Sequence, residues 1–498
     1  NTTASDNTAV GMNALVANTT GNLNTVVGAS AGAANTTGAR NTFLGAGAAP
    51  SNTTGSYNVG VGGAGSDNYN VLNNNTSGAQ LTAVGTGTLA RNTTGIDNTA
   101  LGAYALNKNT TAFNNTAVGR SALESNTIGT VNTAVGHNSL AANTTASYNT
   151  GIGRDALGAN TTGAANTAVG EGALDANTTA SNNTAVGRDA LGANTIGTNN
   201  VALGTSALAA NTTANYNTAV GGLALTTNTT GAENVAVGMN TLDSNTTGTN
   251  NTGLGTGALQ SNTTASNNIA VGKNALFANT TASDNTAVGY QALKATTTGG
   301  SNVAVGFAAL TFNTTGLNNV AVGRDALAYN TANNNTAVGK DALLTNTTGT
   351  NNVAVGMGAL DANTTASTNT AVGYGALNYN TTGNDNIGIG AYALLVNTTG
   401  TDHTVVGAQA GKSVTTGSGN TFLGKYAGYA TTTGHSNVFI GYRTNGEFGA
   451  GHLVTTGSKN TILGGYSGNQ GGLDIRTSSN NIVLSDGDGN IRFHTNSS

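Results

Sequence analysis

The chain repeats itself every 17 residues. Asn166–Asn182 reads NTAVGEGALDANTTASN, and Asn183–Asn199 follows as NTAVGRDALGANTIGTN. Counting the equivalent first residue from Asn7, Asn24 and Asn41 onward to Asn481 gives 28 starts. Exceptions to the 17-residue spacing are few: the repeats from Asn58 and Asn437 run 23 residues, that from Asn319 runs 16 and that from Asn460 runs 21. A fixed short period of this kind means one small unit stacked many times, because a single unit cannot bury its own apolar side chains.

With positions numbered 1 to 17, the consensus is N-T-A-V-G-x-x-A-L-x-x-N-T-T-G-x-x. Positions 1–4 predict a short strand, and Gly at position 5 a turn with positive φ. Positions 8–9 and 12–14 are expected to carry further extended backbone, with Gly or Ala at 15 turning the chain into the next coil. A helix is excluded because Asn, Thr and Gly are poor helix formers and no 3.6-residue period persists. Seventeen residues are also too few for a strand–helix–strand crossover. The prediction is an all-β, parallel β-solenoid (a β-roll) of about 28 coils. At ~4.8 Å per coil it would span roughly 130 Å. Stacking places position 1 above position 1, so it predicts two Asn ladders (positions 1 and 12) and Thr ladders at 13–14.

The composition fits that reading. Of 498 residues 74 are Gly, one is Pro, none is Cys or Trp, and only 7% are charged. Disorder normally needs high net charge, and here the net is −4. The small apolar residues suit a thin repeated core. Without Cys there is no disulfide framework and no thiolate metal site. No apolar run reaches the ~18–20 residues of a membrane helix. The chain opens mid-repeat without an initiator Met, which reads as a processed piece of something longer. Its expected organisation is a repeat shaft over 1–480 and an end segment over 481–498.

Two positions covary within the repeats. Ala at 3 goes with Leu at 9, as in Ala168 with Leu174 and Ala185 with Leu191. The sizes are reversed in Val26 with Gly32, Val405 with Gly411, Phe422 with Gly428 and Ile462 with Gly468. Volume-conserving exchange is expected of side chains sharing one packed space. Repeats near both ends favour the large-at-3 version. Position 4 must then point the other way, yet it is almost always Val, Leu or Ile: Val135, Val169, Val186, Leu423 and Ile440. A long apolar stripe of that kind exceeds what a monomer exposes, so it predicts self-association about an axis, as a homotrimer. The alternative is a coil wide enough to bury both rows.

The element Thr133-Ala134-Val135-Gly136 resembles the A-I-G element in head β-rolls of trimeric autotransporter adhesins, whose repeats are shorter. The full pattern NTAVGxxALxxNTTG looks more like the repeat shafts of trimeric phage tail fibres, and this likeness covers nearly the whole chain. The stretch Asn481-Ile482-Val483-Leu484-Ser485-Asp486-Gly487-Asp488-Gly489-Asn490-Ile491-Arg492 is similar to the segment preceding an endosialidase-type intramolecular chaperone. The resemblance implies an extracellular fibre or adhesin on a virion or cell surface. It implies attachment to a host receptor or polysaccharide, assembly as a homotrimer, and removal of the chaperone beyond Ser498. It carries no catalytic residue onto this sequence.

Candidate sites are sparse. The two six-residue insertions leave the same corner of the repeat and are the expected receptor-binding loops. The first lies near 63–74 (Asp67, Tyr69, Asn70) and the second near 442–453 (Tyr442, Arg443, Glu447, Phe448, His452). Tolerated decoration is the competing reading. Asp486-Gly487-Asp488-Gly489-Asn490 has D-x-D-x-N spacing, but Ile491 and Ser497 stand where a calcium loop needs Gly and Glu, so a tight turn is expected. His137, His403, His435, His452 and His494 show no metal-pair spacing. Acidic residues such as Asp155 and Asp189 are scattered, and no catalytic constellation stands out, so neither enzyme activity nor a cofactor is expected. Sixteen dispersed Lys and Arg argue against nucleic-acid binding. Ice binding by an Asn-x-Thr face, such as Asn177 and Thr179, is the alternative from another functional class. The many Asn-Thr-Thr sequons are expected to have their amides engaged in ladders.

Overall fold

The structure is a computed structural model that describes residues 3–63, 69–443 and 448–496; none of these is helical. The chain divides into two compact units, Asn1–Asn250 and Asn251–Ser498. Each is a parallel β-solenoid with one short strand per coil. In the first, strands run from Thr8–Val10 to Val235–Val237; in the second, from Thr252–Leu254 to Asn481–Ser485. Neighbouring coils pair in register, as in Thr167↔Thr184, Ala168↔Ala185 and Val169↔Val186. The chain makes about 27 turns at the 17-residue spacing. The last parallel strand, Asn481–Ser485, pairs with Thr461–Leu463 and then folds back antiparallel onto Ile491–Asn496.

Thr, Ala and Val at positions 2–4 make the strand. The small Ala turns inward and is fully buried, while β-branched residues on either side face out. Position 5 must be Gly: Gly136 has φ +133°, and a Cβ there would lie 2.4 Å from the Gly153 carbonyl of the next coil.

The rest of the coil departs from the expectation of extended backbone at 8–9. Leu at position 9 is left-handed, with φ 53° at Leu174 and 51° at Leu191. Positions 7 and 17 are left-handed too, as at Asp189 (φ 56°) and Asn182 (φ 62°), whereas Gly at 15 is not. The second corner is therefore turned at 7 and 9, and the third at 17. A left-handed non-Gly residue costs about 1–2 kcal/mol. The corner swings the Leu inward to full burial, which returns about 1.5–3 kcal/mol.

Positions 3 and 9 do share one space. A Cβ on Gly428 would sit 2.5 Å from the Phe422 ring, and one on Gly451 would sit 2.4 Å from Phe439. Phe422 and Phe439 stack at 5.1 Å. The structure also gives a reason for the change towards the C-terminal end. There the residues at position 12 become Val414, Thr431, Val454 and Ile475, all buried. A column of Val, Thr and Ile, in which the Thr431 hydroxyl donates to the Val454 carbonyl (3.1 Å), thus replaces the amide ladder in the same coils that carry Val405, Phe422, Phe439 and Ile462.

Elsewhere the polar interior is satisfied by repetition. Asn177 is fully buried; its Nδ2 donates to Asn160 Oδ1 (2.8 Å) and to the Ala180 carbonyl (3.1 Å), and its Oδ1 accepts from Asn194 (3.1 Å). The position-1 ladder works differently. Asn166 Oδ1 accepts the backbone N–H of Asn183 (3.0 Å), and its Nδ2 donates to the Ala180 carbonyl (2.8 Å). Two ladder oxygens, Asn279 Oδ1 and Asn397 Oδ1, are buried without a partner. The coils that follow them carry Thr296 and Val414, which have no amide to donate.

Candidate functional site

The position-4 stripe lies on the outside of each unit. Val135, Val169 and Ile440 are half-buried, while Val186 and Leu423 are 38% and 47% exposed. Position 2 shares this face, and Val303 and Ile387 are exposed on it as well. The coil buries row 3 and leaves row 4 outside, so a coil wide enough to bury both rows is ruled out. The flat Asn-x-Thr face is also corrected: Asn177 points inward and only Thr179 is exposed, because the backbone bends between positions 12 and 14.

At the first insertion, Asp67 lies outside the described residues. Tyr69 is held by Arg91, whose Nη2 donates to its hydroxyl (3.0 Å) and whose guanidinium sits 5.3 Å from its ring centroid. Asn70 donates to Asn73 Oδ1 (3.3 Å). Tyr69 and Arg91 line a hollow of about 360 Å³ with Tyr104, Lys108, Arg120 and Glu124. Sequence reading missed this cluster, since the three cations look dispersed along the chain. The available signal was their place in the repeat: Arg91 and Lys108 both occupy position 11, in consecutive coils.

At the second insertion, Glu447 lies outside the described residues. Tyr442–Arg443 pairs antiparallel with Phe448–Gly449. His452 stacks on Tyr429 (4.8 Å, 8°) and meets Phe448 edge-on (4.8 Å). Lys425 lies over Tyr426 (4.8 Å) and Tyr442 (5.8 Å). The predicted anchors Phe448 and His452 thus pack on their own scaffold. Burial lowers the His452 pKa.

The D-x-D-x-N run forms a turn. Asp486 Oδ1 accepts the backbone N–H groups of Asp488 (3.1 Å) and Asn490 (2.9 Å), and Oδ2 accepts from Arg492 (2.6 Å). Hydrogen bonds from Asn490 and Arg492 pull its pKa down to about 2. Among the described residues there is no group of three or more His, Asp or Glu that could hold a metal ion, and no helix long and apolar enough to cross a membrane.

His403 stands in the position-1 Asn ladder. Its Nδ1 accepts the Asn420 N–H (3.2 Å), and its Nε2 is buried without a hydrogen bond. Burial pushes its pKa down. A depressed folded pKa means that the unfolded chain binds more protons, so stability falls as pH drops through the ordinary His value of ~6.5. His403→Asn restores the ladder amide and removes this group's share of the acid loss. Between pH 7.5 and 5, the melting temperature of H403N is expected to fall less than that of the parent in parallel thermal scans.

No protein-family model matches the chain, and no curated protein matches it.

Proposed function

We propose that the chain is the shaft of a homotrimeric extracellular fibre, a tail fibre or a surface adhesin, that attaches to a host or another surface and catalyses nothing. The observation that carries this reading is the apolar stripe at position 4, open along both units beside the part-apolar row at position 2, while the rows at positions 3 and 9 are buried. Fourteen coils at ~4.8 Å give each unit a continuous face of about 60 Å. A second and a third copy of the same face are its natural cover, because cyclic symmetry closes the interface.

The first insertion is the receptor contact. Arg91, Lys108 and Arg120 face a single carboxylate, Glu124, in the hollow, and this excess favours a polysaccharide bearing carboxylates or sulfates. Retention on immobilised polygalacturonate should fall steeply with salt and be lost in Lys108→Ala/Arg120→Ala. Undiminished retention by that variant would remove the first insertion from the receptor contact.

Light scattering on the intact chain tests the assembly. The expected mass is three times 48.6 kDa. A clean monomer would overturn the fibre reading and leave the Thr/Val face free for ice, which thermal hysteresis would then reveal.

A further inference from the structure

Position 7 turns a corner of the coil and normally carries a polar side chain, such as Asn138, Asp155 or Asp189. These side chains stack along the corner, as where Asn138 Nδ2 donates to Asp155 Oδ1 (3.1 Å). In the second unit two successive coils have Gly there, Gly358 and Gly375. No other consecutive pair among the described residues lacks both side chains. The gap spans two rungs, roughly 10 Å along the stack, and forms part of the wall of a notch of about 320 Å³. That is at the lower end of the ~300–1,000 Å³ typical of small-molecule sites.

The notch has aromatic walls. Tyr374 and Tyr392 meet edge-to-face, with centroids 4.9 Å apart. Tyr374 and Tyr379 also line the notch, and both stay exposed, at 46% and 54%. Beside the lining pair Lys340 and Asp341, its polar groups include Asn378 and Asp361. Asn378 Nδ2 is tied to the Gly358 carbonyl (2.7 Å). Asp361 is half-buried, and its pKa is raised by burial and by Asp341. Asp341 itself is paired with Lys340 (3.0 Å), and Lys412 lies 5.8 Å from the Tyr392 centroid. Two lysines and two aspartates leave the surroundings without net charge.

We propose that the Gly358–Gly375 notch binds a neutral saccharide. A sugar ring offers an apolar C–H face to exposed tyrosines, and hydroxyl donors at its edge to the Asp361 carboxylate and the Asn378 amide. An anion would meet Asp361. A cation would compete with Lys412, which already occupies one aromatic face. A purely apolar ligand would strand the carboxylate without hydrogen bonds. The inference needs neither the trimer nor the first insertion.

The repeat supplies its own control. Asn is native at position 7 in left-handed geometry at Asn138, Asn240 and Asn274, so Gly358→Asn/Gly375→Asn fills the notch with a residue this corner accepts. A Cβ at Gly358 would meet Asn378 Nδ2 at 3.1 Å, and one at Gly375 would meet Tyr392 at 3.1 Å, so small side-chain shifts suffice. The intact chain should be applied to an array of neutral oligosaccharides built from glucose, galactose, mannose and N-acetylglucosamine. Binding is expected for the parent, at least tenfold weaker for the filled variant, and several-fold weaker for Tyr379→Ala, with unchanged melting temperatures. The proposal is overturned if no neutral glycan binds, if the filled variant binds equally well, if choline displaces the glycan, or if reducing ends are released. A monomeric mass together with notch-dependent binding would sink the fibre and leave this site standing.

Discussion

Lysine at three consecutive positions of the outer stripe, Val169→Lys, Val186→Lys and Leu203→Lys, should turn the proposed trimer, three times 48.6 kDa, into a single chain of 48.6 kDa that keeps its β-structure. The side chains replaced are already outside the coil, at 38% for Val186 and 37% for Leu203. Losing them costs the single chain only strand propensity, within ~1 kcal/mol each. In the proposed trimer the same atoms would be covered, each contributing on the order of 1 kcal/mol, and nine ammonium groups would crowd around one axis. Like charges brought together out of water oppose assembly by far more than that contribution. The inward row separates assembly from folding. Ala185→Lys, beside Val186 but fully buried, should instead unfold the coils around it and lower the β-signal. Circular dichroism and light scattering on the same samples read both. If the triple-lysine chain still forms trimers, the stripe is not the interface.

Much of this architecture was legible in the sequence because stacking turns chemistry into periodicity. The exchange of size between Phe422 and Gly428 announced a contact that the ring-to-Cβ distance of 2.5 Å bears out. Gly at position 5 announced its positive φ. The left-handed Leu at position 9 was not legible. Leu has no preference for that conformation, and only closure of the whole coil imposes it; the Gly that replaces it in some coils hid the signal under the volume exchange. The polar hollow beside Tyr69 was obscured for a different reason. Lys108 and Arg120 are twelve residues apart and come from positions 11 and 6, which meet only once the corner is folded. The packing at the second insertion was hidden as well. Phe448 and His452 have the composition of a binding loop, but Tyr426 and Tyr429 on the preceding coil offered them a packing surface.

Breaking the buried amide ladder should cost the most of any single polar truncation, and repairing a natural break should return part of it. Asn177→Ala leaves Asn160 Oδ1 without its donor and one Asn194 amide hydrogen without its acceptor, both in the interior. At about 1–3 kcal/mol for each orphaned group, with a small cavity added, the loss should be about 3–5 kcal/mol. For a unit of this size that is roughly 10 °C of melting temperature. Because each coil touches only its neighbours, the damage should be local. Hydrogen exchange should speed up in the coils around Asn160 and Asn194 and remain slow far along the same unit. Thr296→Asn is the reverse experiment. Asn279 Oδ1 is buried and unpartnered because Thr296 follows it, and Asn313 lies one coil further on. An amide at 296 would donate to the first and accept from the second. The change gives up the Thr296 hydroxyl bond to the Asn313 carbonyl (2.9 Å), so the net gain should be about 1 kcal/mol, or 2–4 °C. Destabilisation by Asn177→Ala with no gain from Thr296→Asn would mean that the ladder holds the coil by packing volume. A gain from the repair would show that amide pairing itself stabilises the solenoid.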